Sequence, residues 1–331
     1  MTNYLSLKDR YADYFRIGAA VNQETILTEE ELLKQHFNSL TAENEMKFEH
    51  LQPKEGIFTF EKADQMASFA KENQIEMRGH TLVWHNQTPQ WVFEGNKGSL
   101  LTRQQLLNRM ESHIKTVMTH FKDPFYTWDV VNEAVEDRGS QLLRSSPWST
   151  IIGDDFIDHA FYFAKEARPD VKLYYNGYNE SSPVKREKIY QLVKSLVERD
   201  VPIDGIGLQC HWSLDTPAID DIRQAIERYA SLGLSLEITE MDVSVFEFEN
   251  HRTDLTQATK EMLDKQAARY DQIFSLFREY HQHIDTVTFW GVSDRYTWLN
   301  DFPVENRKNW PFIFDEKGQA KESFKKIMTF K

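Results

Sequence analysis

The chain has 331 residues, 40% apolar and 27% charged, with 13 Gly and 10 Pro, a composition that fits a packed globular protein and excludes a disordered or fibrous one. Its 39 basic against 52 acidic residues give a formal charge of -13, which repels phosphate backbones and anionic membrane surfaces, so neither nucleic acid nor a membrane is an expected partner. Cys210 is the only cysteine, which excludes an intrachain disulfide and a Cys-ligated zinc site.

The N-terminal stretch MTNYLSLKDRYADYF carries no basic segment followed by an apolar core, so a cytoplasmic location is expected. Buried strands are then predicted at 16–21 (RIGAAV), 39–44 (SLTAEN), 77–84 (MRGHTLVW), 127–133 (TWDVVNE), 173–179 (LYYNGYN), 204–212 (DGIGLQCHW), 234–242 (LSLEITEMD) and 286–294 (TVTFWGVSD). Helical periodicity fills the gaps, as in 101–121, 154–167, 184–200 and 219–233, with Thr102 as a helix cap and Gly233 as a stop. Eight alternations of strand and helix predict an α/β fold, a single (β/α)8 TIM barrel over residues 1–331 with no carbohydrate-binding module. An open doubly wound sheet would carry a glycine-rich phosphate turn after an early strand, whereas RIGAAVN contains only Gly18.

Two of these runs carry glutamates 107 positions apart, Glu133 and Glu240. Strand ends of a parallel barrel form one rim, and two carboxyl groups facing a sugar divide the work of glycosidic cleavage, one protonating the departing oxygen while the other attacks or activates water. Strand alternation puts Ile238, Glu240 and Asp242 on one face, Thr239 and Met241 on the other. A lone strand-end glutamate is ordinarily a salt-bridge partner of a neighbouring helix. Here almost every run ends in sugar-binding groups: Glu43 and Asn44, His80 and Trp84, Asn132 and Glu133, Asn179, Gln209 and His211, Glu240, and Trp290. One polar, aromatic-lined cleft accounts for them together. The five-residue spacing of HTLVWH puts His80 and His85 on opposite strand faces, so no metal is expected.

Through TAENEMKF from 41, GHTLVWHNQTPQW from 79, WDVVNEAV from 128, QCHW from 209, ITEMD from 238 and FWGVSD from 289, the chain resembles the family 10 glycoside hydrolases, the β-1,4-xylanases, over nearly its whole length. The resemblance implies an intracellular bacterial endo-β-1,4-xylanase that hydrolyses xylan fragments and xylo-oligosaccharides with retention, without a cofactor. It makes Glu133 the acid/base and Glu240 the nucleophile. His211 is then the partner of Glu240, with Asp242 fixing the imidazole tautomer, and Asn132 is placed to bond the sugar 2-hydroxyl. Glu43, Asn44, Lys47, His80, Trp84 and Gln87 match the family's glycone contacts, and Gln209 completes the subsite at the cleavage point. Trp84, Trp290 and Trp298 offer flat surfaces to pyranose rings, and the pair Trp290 and Trp298 crowds the place of a glucose hydroxymethyl group. A cis peptide between His80 and Thr81 is also implied. The chain departs from the family at Gly177, where an acidic residue is common and a carboxylate near the rim is therefore missing. The competing readings are a β-glucanase or mannanase of similar barrel type, a metal-dependent barrel hydrolase and a non-catalytic sugar-binding barrel. No oligomeric state follows from the sequence.

Overall fold

The computed structural model describes residues 6–95 and 98–330. Residues 1–5, 96–97 and 331, which the single-domain expectation also spans, lie outside the described residues, as does the start of the N-terminal stretch. The strands are β1 (Arg16–Val21), β2 (Ser39–Ala42), β3 (Glu76–Val83), β4 (Phe125–Asn132), β5 (Lys172–Gly177), β6 (Gly205–Leu208), β7 (His211–Ser213), β8 (Ser235–Ser244) and β9 (Ile284–Phe289). All their pairings are parallel, in the order β6-β5-β4-β3-β2-β1-β9-β8-β7, and the β6–β8 pairing closes the ring. The protein is a closed eight-stave (β/α)8 barrel, with β6 and β7 as two halves of one stave.

That split corrects the reading of 204–212 as one strand. Cys210 adopts φ +60, in the left-handed region, and cannot continue a ladder. Gln209 is still gripped on both sides, its N–H donating to Gly177 O and its carbonyl accepting from Glu240 N. Beyond it the stave steps, so that β7 pairs with β8 alone.

The crossovers carry α1 (Glu30–His36), α2 (Glu61–Glu72), α3 (Arg103–His120), α4 (Phe156–Ala167), α5 (Pro183–Glu198), α6 (Ile219–Ala230) and α7 (Lys260–Glu279), and α8 (Glu322–Met328) follows the last strand. Thr102 caps α3 in a reciprocal capping box with Gln105. Past α6, Gly233 takes φ +72 and turns the chain into β8. Leu106, Met110, Ile114, Val117 and Met118 recur at helical spacing on the buried face of α3.

The barrel interior is polar as well as apolar. Arg78 on β3, fully buried, donates from Nε to Glu237 Oε2 at 2.5 Å and from an amino nitrogen to Asp129 Oδ1 at 2.7 Å. Asp129 Oδ2 lies 2.9 Å from His80 Nδ1, so this cluster reaches up to the rim. Beside it Gly79 is obligatory: a Cβ there would sit 2.2 Å from the Trp128 indole.

Candidate active site

All fifteen residues singled out from the sequence line one cleft of about 1080 Å³ at the carboxyl ends of the strands. Glu133 stands just beyond β4 at φ +56, its N–H donating to Asn176 O at 2.9 Å. A non-glycine residue held there costs about 1 to 3 kcal/mol, which the surrounding structure must supply. Its carboxylate accepts from Trp84 Nε1 and from Gln209 Nε2, each at 2.9 Å. Glu240 lies within β8 and accepts from Asn176 Nδ2 at 2.8 Å and from His211 Nε2 at 3.2 Å. Asn176 donates also to Asn132 Oδ1 at 3.0 Å, and Gln209 reaches the same oxygen at 3.3 Å. One amide network therefore joins the two carboxyls.

Their environments differ in sign. Burial is the largest influence on Glu133 and pushes its carboxyl above the usual range, helped by the negative charge of Glu240 and opposed by the Gln209 and Trp84 hydrogen bonds and by Arg144. Burial also pushes Glu240 up, but the hydrogen bond from His211, the His80 and His211 rings and the Asn176 amide overcome it and bring the group down to about 2. His211 is buried, which lowers its basicity, yet the Asp242 charge and its hydrogen bonds to Asp242 and Glu240 raise it to about 10. At neutral pH it is an imidazolium donating from Nδ1 to Asp242 Oδ2 at 3.0 Å and from Nε2 to Glu240. Asp242 thus holds Nδ1 of the ring and orients Nε2 toward Glu240, and its charge favours the cation.

Strand alternation in β8 holds for Glu240 and Asp242, which both meet His211 and line the cleft, and departs at Thr239. Thr239 Oγ1 donates to Asn176 Oδ1 at 2.7 Å while its neighbour Glu240 takes the Nδ2 of the same side chain. A register irregularity between Ile238 and Met241 lets successive residues face the same way.

On the side of β2 and β3, Lys47 Nζ donates to Asn44 Oδ1 at 3.0 Å and lies 5.1 Å from the Trp84 ring centroid. Gln87 Nε2 reaches Asn44 Oδ1, and Glu43 accepts from Asn22. Trp298 donates Nε1 to Asp242 Oδ2 at 2.8 Å and stacks on Phe302 with centroids 5.0 Å apart, so its donor and one face are engaged within the protein. The peptide between His80 and Thr81 is cis. His85 falls beyond the end of β3, where face alternation no longer applies, and lines a small cavity with Glu133 and Arg144.

Gly177 stands away from the cleft lining. A Cβ there would meet the Tyr175 ring at 3.4 Å and Ile189 of α5 at 3.7 Å, so a side chain at this position points into the strand–helix layer. A carboxylate at this position would start beside the Tyr175 hydroxyl, which accepts from Val135 N–H. Sequence reasoning passed over Asn176, whose one signal is an amide inside the apolar run YYNG, and over Tyr178, Asp137 and Arg144, which flank the acidic strand ends.

The profile of glycosyl hydrolase family 10 matches residues 6–330. The chain is 57% identical to an endo-1,4-beta-xylanase of Geobacillus stearothermophilus over 324 residues, 98% of each chain. It is similar to the crystal structure of xylanase XynB from Paenibacillus barcinonensis complexed with a conduramine derivative, with a TM-score of 0.97, 52% identity and 99% of each chain covered. A mutant structure in complex with xylotriose superimposes with a TM-score of 0.96 at 50% identity, covering 98% of this chain and 99% of that one.

Proposed function

The chain belongs to glycosyl hydrolase family 10, and from that premise we propose how its cleft divides the cleavage of a β-1,4-xylosidic bond between Glu133 and Glu240. The activity is that of an endo-1,4-β-xylanase, acting with retention through a covalent glycosyl-enzyme on xylan fragments and xylo-oligosaccharides. Glu240, held as a carboxylate, attacks the anomeric carbon. Glu133, kept protonated, gives its proton to the leaving oxygen. Once Glu240 is an ester its negative charge is gone, which removes one of the influences raising Glu133 and readies that group to deprotonate the incoming water. Asn132 has its Oδ1 committed to Asn176 and Gln209, leaving Nδ2 to donate to the sugar 2-hydroxyl.

The observation that carries this reading is the opposed proton affinity of two carboxyls joined by a single amide network. The test is azide rescue. Glu133→Ala is expected to lose about 10²- to 10⁴-fold in turnover of xylotriose and, with azide, to release the β-xylobiosyl azide from an aryl β-xylobioside. Glu240→Ala should give no such product, and β-azide from Glu240→Ala with none from Glu133→Ala would reverse the two roles.

The site of action belongs to the same proposal: a cytoplasmic enzyme working on imported xylo-oligosaccharides. A fold whose only cysteine is the buried Cys210, and which therefore depends on no disulfide, supports it. Activity recovered from the culture medium and not from the cytosol of the producing cells would contradict it.

A further inference from the structure

The segment following Glu133 is tied down by a knot of charges. Arg144 donates from Nε to the Glu133 carbonyl at 3.3 Å and from one amino nitrogen to Asp137 Oδ2 at 2.9 Å and Tyr178 Oη at 2.6 Å. Tyr178 also donates to Asp137. Lys185 of α5, nearly inaccessible, donates to Asp137 and, at 2.8 Å, to Val135 O. Three donors from three parts of the chain thus converge on Asp137. Tyr178 lines the cleft, whereas Arg144 lines a separate cavity of about 10 Å³ that also touches Glu133, His85 and Trp148. Such a fork holds geometry as well as charge. Glu133, at φ +56, needs that hold.

We propose that Arg144 is a positioning residue for the proton-transfer step: its guanidinium clamps the backbone of Glu133 and fixes the proton donor relative to the cleft wall at Tyr178. The inference rests on Glu133 being the acid/base. The guanidinium is also a fixed positive charge near the Glu133 carboxyl, opposing the upward push of burial and of Glu240. The other charged or titratable groups facing Glu133 are Lys47 beyond β2, His85 beyond β3, Tyr175 of β5 and Lys185 of α5. None of them grips its backbone as Arg144 does.

Arg144→Lys keeps the charge and loses the fork, while Arg144→Gln loses both. On xylotriose, whose leaving sugar needs a proton, each variant is expected to lose about 10- to 100-fold in kcat/KM. On a dinitrophenyl β-xylobioside, whose leaving phenolate needs none, the loss is under about threefold. Removing a positive charge makes Glu133 harder to ionise, so the alkaline limb of kcat/KM moves up in Arg144→Gln and stays in place in Arg144→Lys. Equal losses on both substrates in Arg144→Lys, or an unmoved limb in Arg144→Gln, would overturn the proposal. If Arg144→Gln does not fold, Arg144→Lys alone decides it through the comparison of substrates. Glu133→Ala measured alongside separates the two claims, because equal losses there remove the acid/base assignment itself.

Discussion

Glu133 and Glu240 carry the same functional group in one cleft, and their surroundings send the two protons opposite ways. The pH dependence of kcat/KM follows from the signs. Activity needs Glu240 ionised and Glu133 protonated, so the acid limb belongs to Glu240, near its value of about 2, and the alkaline limb to Glu133, above the ordinary 4.5. His211, at about 10, remains a cation throughout that window and adds no limb of its own. In His211→Ala the largest influence holding Glu240 down is gone while burial remains, so the acid limb should climb by two or more pH units, an order-of-magnitude expectation of about 3 kcal/mol. A limb that stays near pH 2 in this variant would remove His211 from the account. At this scale the two glutamates were readable because each ends or interrupts an apolar run. Asn176 was not, since an isolated amide in a strand reads as a core residue until its two partners are seen. The bond from Trp298 Nε1 to Asp242 was hidden for a similar reason: nothing in the sequence brings the two side chains together.

At the scale of elements, strand alternation gave the right staves and the wrong details where the ladder is irregular. The break at Cys210 and the irregularity in β8 both occur beside groups the cleft uses, and they re-aim Gln209, His211 and Glu240 in a way that a period of two cannot anticipate. Gly177 lies in β5 without a positive φ, and an added Cβ meets ordinary van der Waals contacts with Tyr175 and Ile189. Gly177→Ala is therefore expected to raise stability by about 0.4 to 1 kcal/mol, chiefly by restricting the unfolded chain, as measured by denaturant unfolding with kcat unchanged. The opposite case is Arg78→Met, which leaves Asp129 and Glu237 buried without their cation. It should cost about 3 to 5 kcal/mol, and a loss below about 1 kcal/mol would mean that the carboxyls are neutral and that the cluster is no ion pair.

For the whole molecule, the barrel was legible because eight apolar runs separated by helical periods admit few other arrangements, and closure by the β6–β8 pairing follows from them. The cleft couples to the stability of that barrel through His211 and Glu240. A histidine raised from 6.5 to about 10 contributes stability that is complete below 6.5 and lost as pH rises through 10. A carboxyl lowered from 4.5 to about 2 contributes stability that is complete above 4.5 and lost as pH falls through 2. The Tm difference between the parent protein and His211→Asn should therefore be largest between pH 4.5 and 6.5 and shrink on both sides. The central claim, a double displacement in which Glu240 attacks and Glu133 serves as acid and then base, is tested most directly by a proton NMR time course on xylotetraose, with cellotetraose as the control. Early accumulation of the β-anomer from xylotetraose alone is the predicted result; early α-anomer, or turnover of cellotetraose in its place, would contradict it.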